Sequence, residues 1–143
     1  MKHIDNLVEK LKQEYTLGTE INWNNLAKDK NIGFLVDKRV IIPFSFPNPN
    51  FPQFVFTSPS IFKKEHFYNI AHEFGHVLLN SYSEEEADYF ANKILGYKAP
   101  QIAPLIDMTY KFFRHPVNCL SLIFGRDKYM FKFGDKLIKE INV

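Results

Sequence analysis

Residues 70–79 read IAHEFGHVLL, and HEFGH at 72–76 matches the pattern HExxH. Four residues make slightly more than one turn of an α-helix, so the imidazoles of His72 and His76 should project from one face and bind one metal ion. Glu73 then lies beside the metal as a general base, which takes a proton from an activated water and delivers it to a leaving amine. The stretch therefore predicts a helix that carries two metal ligands and a catalytic carboxylate.

The two middle residues of the pattern, Phe74 and Gly75, are expected to serve packing rather than metal binding. Phe74 is expected in the core, and Gly75 allows a neighbouring segment to pack closely because it has no Cβ. HExxH also arises by chance in sequences without a metal site, so the interpretation needs support from a third ligand.

A second helix should begin after Ser83, because Ser83 and Glu86 have the spacing of a capping box. Its apolar face comprises Ala87, Phe90, Ala91, Ile94 and Leu95. Around the helix, Glu84 lies only about 20° from Ala91. Glu85 and Glu86 lie about 120° and 140° away from it. A carboxylate on the packed side of a helix is unfavourable unless a cation meets it, so Glu84 is predicted to be the third ligand.

Asp88 follows Glu84 by one turn, on nearly the same face. It is suitably placed to accept the second ring N–H of a ligand histidine and so fix the tautomer of that ring. An exposed carboxylate near a helix start is the alternative explanation. Two imidazoles and one carboxylate favour zinc, one Zn²⁺ per chain, with the fourth position left to water as in catalytic sites.

The composition is that of an ordinary globular protein, since 45% of the 143 residues are hydrophobic and 24% are charged. This length suits a single domain, residues 1–143. Lys plus Arg number 18 against 16 Asp plus Glu, without a basic cluster, which argues against direct nucleic-acid binding. Cys119 is the only cysteine, and no stretch has the pattern of a signal peptide or a membrane span. We therefore expect a cytoplasmic protein.

The remaining pattern predicts an α+β fold, mostly helical with a small sheet. Helices are expected at residues 3–16, at a short segment capped by Asn22 or Asn24, at 61–80 with Ser60 as cap, and from Ser83 to Gly96. Strands are expected at 33–36, 40–42 and 53–57. Five prolines from Pro43 to Pro59 exclude a helix there and disfavour a central strand, so 53–57 should be an edge strand that precedes the HExxH helix. From Pro100 onward, two or three shorter helices should complete the core.

The group that would stabilise a developing oxyanion is not decided by the pattern. Candidates by chemistry alone are hydrogen-bond donors around and after the second motif, namely Tyr82, Tyr89, Tyr110, Arg114 and His115. Each also has a simpler explanation as a packing or surface residue.

The paired motifs resemble those of the ImmA/IrrE family of bacterial and phage zinc metallopeptidases. That family carries an AHELGH-type helix followed by an ExEAN-x-FA-type helix, and the corresponding runs here lie at 70–79 and 84–95. The resemblance spans about residues 3–97 and leaves 98–143 as a short helical extension without a recognisable sensor domain.

This resemblance implies a minimal zincin-like domain in which His72, His76 and Glu84 bind zinc and Glu73 is the general base. Asp88 stands where the family often has Asn. Family members are intracellular and cleave or otherwise inactivate helix-turn-helix repressors of phage, mobile-element or stress genes. The resemblance therefore implies a protein substrate of that class, with neither a nucleic-acid nor a membrane partner.

Two functions are compatible with these motifs. In the first, the protein is a zinc-dependent endopeptidase, and the strand at 53–57 pairs with an extended substrate. In the second, it is a non-catalytic zincin-fold module that sequesters a repressor or a toxin or antitoxin partner. Glu73 favours the enzyme, because a structural metal site has no need of that carboxylate. A metal-free α+β domain with accidental motifs is a third interpretation.

Overall fold

A computed structural model of the chain describes residues 1–38, 40, 43–45, 47, 53–60 and 62–100. The helices of this part are α1 (Lys2–Tyr15), α2 (Trp23–Asp29), α3 (Lys63–Leu79) and α4 (Glu84–Leu95). The strands are β1 (Thr16–Leu17), β2 (Glu20–Ile21), β3 (Gly33–Val36), β4 (Phe44–Ser45) and β5 (Phe54–Thr57). The predicted α+β fold, mostly helical with small sheets, is thus confirmed.

The N-terminal helix forms as its periodicity predicts, with Ile4, Val8 and Leu11 buried along one face. It stops at Tyr15 because the chain then turns into the antiparallel hairpin of β1 and β2, which the sequence interpretation missed. Gly18, in the turn of this hairpin, has a φ of +67°, a conformation that glycine adopts without strain. The next helix, α2, is capped by Asn22, whose side chain accepts a hydrogen bond from the Asn25 N–H at 3.1 Å.

The three-stranded sheet corrects the prediction of an edge strand at 53–57. The strand order is β3-β5-β4, so β5 is central, parallel to β3 and antiparallel to β4. All four residues of β5 are buried. The flanking prolines, Pro52 and Pro59, lie outside β5, so no missing N–H prevents pairing on both of its sides. Of the strand predicted at 40–42, residues 41 and 42 lie outside the described residues, and Val40 is buried but not in a strand.

Both motif helices form close to their predicted bounds. The first, α3, begins at Lys63, and Ser60 does not cap it; the Ser60 hydroxyl accepts the Phe62 N–H instead, at 3.1 Å. The second, α4, has Ser83 as N-cap, with the Ser83 hydroxyl 3.3 Å from the Glu86 nitrogen. The capping box is only half formed, because the Glu86 carboxylate accepts from the Ser81 hydroxyl rather than from the backbone of Ser83.

The two middle residues of HEFGH behave as predicted. Phe74 is fully buried, stacked on Trp23 with ring centroids 4.8 Å apart. Gly75 marks the close approach of α3 and α4: a Cβ built on it would lie 3.1 Å from Cδ1 of Phe90 and 3.2 Å from Cα of Ala87. Since the second of these neighbours is backbone, α4 can come this close to α3 only where the residue has no side chain.

The predictions for the C-terminal region, namely the helices after Pro100, lie outside the described residues. The same holds for three of the oxyanion candidates, Tyr110, Arg114 and His115. Within the described residues, none of the helices combines the length and the apolar character that a membrane crossing requires.

The close approach at Gly75 predicts that Gly75→Ala destabilises the fold by about 1–3 kcal/mol, the usual effect of overpacking. In an exposed helix the same change stabilises by about 1 kcal/mol, so the sign itself tests the contact. Urea unfolding measures the difference in the free energy of unfolding between Gly75→Ala and the parent, provided that both have the same m-value. Glu85→Ala, an exposed substitution on α4, should change the free energy of unfolding by less than about 0.5 kcal/mol. A Gly75→Ala variant as stable as the parent would contradict the tight packing.

Candidate metal centre

The helical hairpin of α3 and α4 brings together the three predicted ligands. Nε2 of His72 lies 3.1 Å from Nε2 of His76 and 3.1 Å from Oε2 of Glu84. The other Glu84 oxygen, Oε1, lies 3.3 Å from Nε2 of His76. One ligand atom from each of the three residues can thus be chosen so that all lie within 4.8 Å of one another.

The other nitrogen of each imidazole determines what these Nε2 atoms can do. Nδ1 of His76 lies 2.8 Å from the carbonyl oxygen of Ser81, which only accepts hydrogen bonds, so this Nδ1 carries the proton and donates. Nδ1 of His72 lies 2.9 Å from Oδ1 of Asp88 and donates to that carboxylate. In the neutral rings, both Nε2 atoms therefore have free lone pairs directed at a common point.

Two imidazole lone pairs and a carboxylate at one point repel each other unless a positive charge lies between them. Ligands bound at about 2.0–2.2 Å to a tetrahedral ion are roughly 3.3–3.6 Å apart. The separations here are slightly shorter: 3.1 Å between the two Nε2 atoms, 3.1 Å from Nε2 of His72 to Oε2 of Glu84, and 3.3 Å from Nε2 of His76 to Oε1 of Glu84. The donor set of His72, His76 and Glu84 thus fits a small divalent metal ion.

Exposure differs sharply between the two sides of the centre. The side chains of His72 and His76 are only 15% and 8% exposed, whereas that of Glu84 is 77% exposed. Glu84 points toward the histidines, in the direction that the helical phase predicts, but it is the first residue of α4 and so remains at the rim. The centre is therefore anchored in the core on the histidine side and open to water on the glutamate side.

Glu73 contributes a second, buried carboxylate, with only 8% of the residue exposed. Burial raises the pKa of Glu73, and the nearby Glu84 raises it further, whereas the Ser45 hydroxyl and the two histidines lower it; burial prevails. The Ser45 hydroxyl donates to Oε2 of Glu73 at 2.6 Å. One oxygen of Glu73 is thereby held by β4, which suits a base that must exchange a proton at its other oxygen.

Asp88 makes the contact that the sequence predicts, since its Oδ1 accepts from Nδ1 of His72. The same oxygen accepts a hydrogen bond from the hydroxyl of Tyr68 at 3.0 Å, an interaction that the sequence interpretation missed. The signal for it was available, because Tyr68 precedes His72 by four residues and so lies on the same face of α3.

Two of the oxyanion candidates lie within the described residues. The Tyr89 hydroxyl donates to Asp5 at 2.9 Å and so links α4 to α1 rather than facing the centre. Tyr82 is 65% exposed, in the segment between α3 and α4.

Comparison of the chain with protein-family models, with curated proteins and with solved structures finds no match. The resemblance to ImmA/IrrE metallopeptidases thus stays a sequence-based expectation.

The geometry predicts that the protein binds about one divalent metal ion per chain and that Glu84→Gln weakens binding by more than about 100-fold, since loss of a ligand should exceed the effect of outer-shell changes. Zinc titration in competition with a chromophoric chelator, with elemental analysis, measures both quantities. Glu85→Gln is the matched control, because its side chain lies on the exposed side of the same helical turn. Equal affinity of the two variants would remove Glu84 from the ligand set.

Proposed function

We propose that this protein is a zinc-dependent endopeptidase of the ImmA/IrrE type. The observation that carries the proposal is the combination of three converging metal donors with a separate buried carboxylate, Glu73, beside them. A site that only held two helices together would need the three donors but not a fourth acidic group. The opening on the Glu84 side supports access of water and of a substrate.

Bound zinc would supply Lewis acidity and lower the pKa of water to about 7. Glu73 takes up the proton of the attacking water and passes it to the nitrogen of the leaving amine. Ser45 holds Oε2 of Glu73 during this exchange. Asp88 and the Ser81 carbonyl keep the two imidazoles in the tautomer whose Nε2 is free to bind metal.

The proposed substrate is an intracellular protein, such as a helix-turn-helix repressor of a phage or mobile element, in line with the sequence resemblance. Since β5 is paired on both sides, the strand that would bind an extended substrate segment is β4. Of the two outer strands in the described sheet, β3 and β4, β4 is the one whose residue Ser45 contacts Glu73. Main-chain pairing along β4 would bring a scissile peptide bond next to the general base.

Glu73→Gln tests the mechanism directly. The variant should keep its zinc, because Glu73 is not among the donors, but should lose roughly 10²–10⁴-fold in cleavage rate through loss of the base. The assay incubates zinc-loaded protein with a helix-turn-helix repressor and follows fragments by mass spectrometry. Glu85→Gln serves as the control with full activity.

The same variant distinguishes the alternative function. If the protein is a zincin-fold module that sequesters its partner, Glu73→Gln should still relieve repression in cells as the parent does. Cleavage that survives at the parental rate in Glu73→Gln would disprove the assigned role of the base.

Ser45→Ala predicts a pH effect. Burial, the largest influence, raises the pKa of Glu73, and the Ser45 hydrogen bond lowers it, so removing the hydroxyl should raise that pKa further. The base is then ionised only at higher pH, and the acid limb of kcat/KM against pH should move upward. Ser45→Thr, which keeps a hydroxyl, should leave the limb near its parental position. A limb that stays in place or moves downward in Ser45→Ala would contradict the assignment.

A further inference from the structure

We infer that Tyr68 is a positioning residue for the metal centre and acts on His72 through Asp88. The inference rests on the metal centre of the proposed function and extends it to a residue outside the paired motifs. It is carried by a continuous chain of hydrogen bonds: from the Tyr68 hydroxyl to Oδ1 of Asp88 at 3.0 Å, and from Nδ1 of His72 to the same oxygen at 2.9 Å.

The backbone makes this chain possible through matched helical spacing. Tyr68, His72 and His76 follow one another at intervals of four residues on α3, and Glu84 and Asp88 do so on α4. Because α3 and α4 face each other as a hairpin, the residues of these two series alternate across the interface. Asp88 thereby contacts two consecutive members of the α3 series, Tyr68 and His72.

Burial indicates which end of this chain of hydrogen bonds is fixed. The side chain of Asp88 is 53% exposed, so water competes for its oxygens and several rotamers are open to it. Tyr68 is only 7% exposed and belongs to the hydrophobic core cluster, which holds its ring in place. The hydroxyl of Tyr68 therefore supplies a fixed donor that selects one orientation of the Asp88 carboxylate.

This orientation of the Asp88 carboxylate also fixes the ring of His72. With Oδ1 of Asp88 held, the Nδ1–H of His72 has a stationary acceptor, and its Nε2 stays directed at the other two donors. Loss of an outer partner of a metal-bound histidine typically costs 10–100-fold in metal affinity. Tyr68 acts one bond further out, so its hydroxyl should contribute roughly tenfold, at the lower end of that range.

Tyr68→Phe separates this role from packing, because it removes only the hydroxyl and keeps the buried ring. Tyr89→Phe is the matched control: its hydroxyl also donates to an aspartate, Asp5, at 2.9 Å, but between α4 and α1 and away from the metal donors. Both variants lose one tyrosine–aspartate hydrogen bond, so a general loss of stability should affect them alike.

The test titrates metal-free, full-length protein with Zn²⁺ in competition with a chromophoric chelator, and with Co²⁺ by its visible absorption. Tyr68→Phe should weaken Zn²⁺ binding roughly tenfold and alter the Co²⁺ band shape, whereas Tyr89→Phe should leave both unchanged. In an Asp88→Ala background, Tyr68→Phe should have no additional effect, because the hydroxyl acts only through that carboxylate.

Two results would overturn the inference while leaving the centre intact. One is equal Zn²⁺ affinity of Tyr68→Phe and Tyr89→Phe; the other is a full additional loss when Tyr68→Phe is added to Asp88→Ala. A parent protein that binds neither metal would instead overturn the proposed function, and the inference with it. Thermal unfolding of the metal-free variants checks that Tyr68→Phe and Tyr89→Phe are equally folded.

Discussion

The close contact of α3 and α4 at Gly75 is the constraint on which the centre depends. The glycine lets the backbone of Ala87 and the ring of Phe90 lie within van der Waals distance of α3. This separation lets a carboxylate at the start of α4 reach imidazoles near the end of α3. The turn between the helices fixes their offset, with Asn80 in the left-handed conformation at a φ of 50°. Packing in the core thus sets the spacing of donors at the rim.

The two acidic residues nearest the histidines differ in environment rather than in chemistry. Glu73 is buried and held by a hydroxyl from the sheet, whereas Glu84 is largely exposed. Removal from water favours the neutral form of a carboxyl group and suits it to proton exchange. An exposed carboxylate keeps its charge solvated and can pair with a cation without a large desolvation penalty. The fold therefore places two identical side chains in different environments, one buried and one exposed.

The helical part of the centre could be predicted from the sequence because helical position follows from residue number. The helical phase predicts that Glu84 and Asp88 face the histidines, and both contacts are present. Ser45 could not be found, because it comes from a strand 28 residues away whose position depends on sheet pairing. The order of that sheet could not be predicted for the same reason: the prolines of the segment 43–59 argue against a central strand, but β5 itself contains none.

The two histidines differ in how their orientation is encoded. Nδ1 of His72 is hydrogen-bonded to the side chain of Asp88, which any substitution at position 88 changes. Nδ1 of His76 is hydrogen-bonded to the main-chain carbonyl of Ser81, which every residue at position 81 would also provide. Substitutions at position 88 can therefore change the hydrogen-bond partner of His72. The partner of His76 is kept as long as the backbone of the turn keeps its path. Relatives of this chain should vary in what supports the first histidine and agree in the backbone path that supports the second.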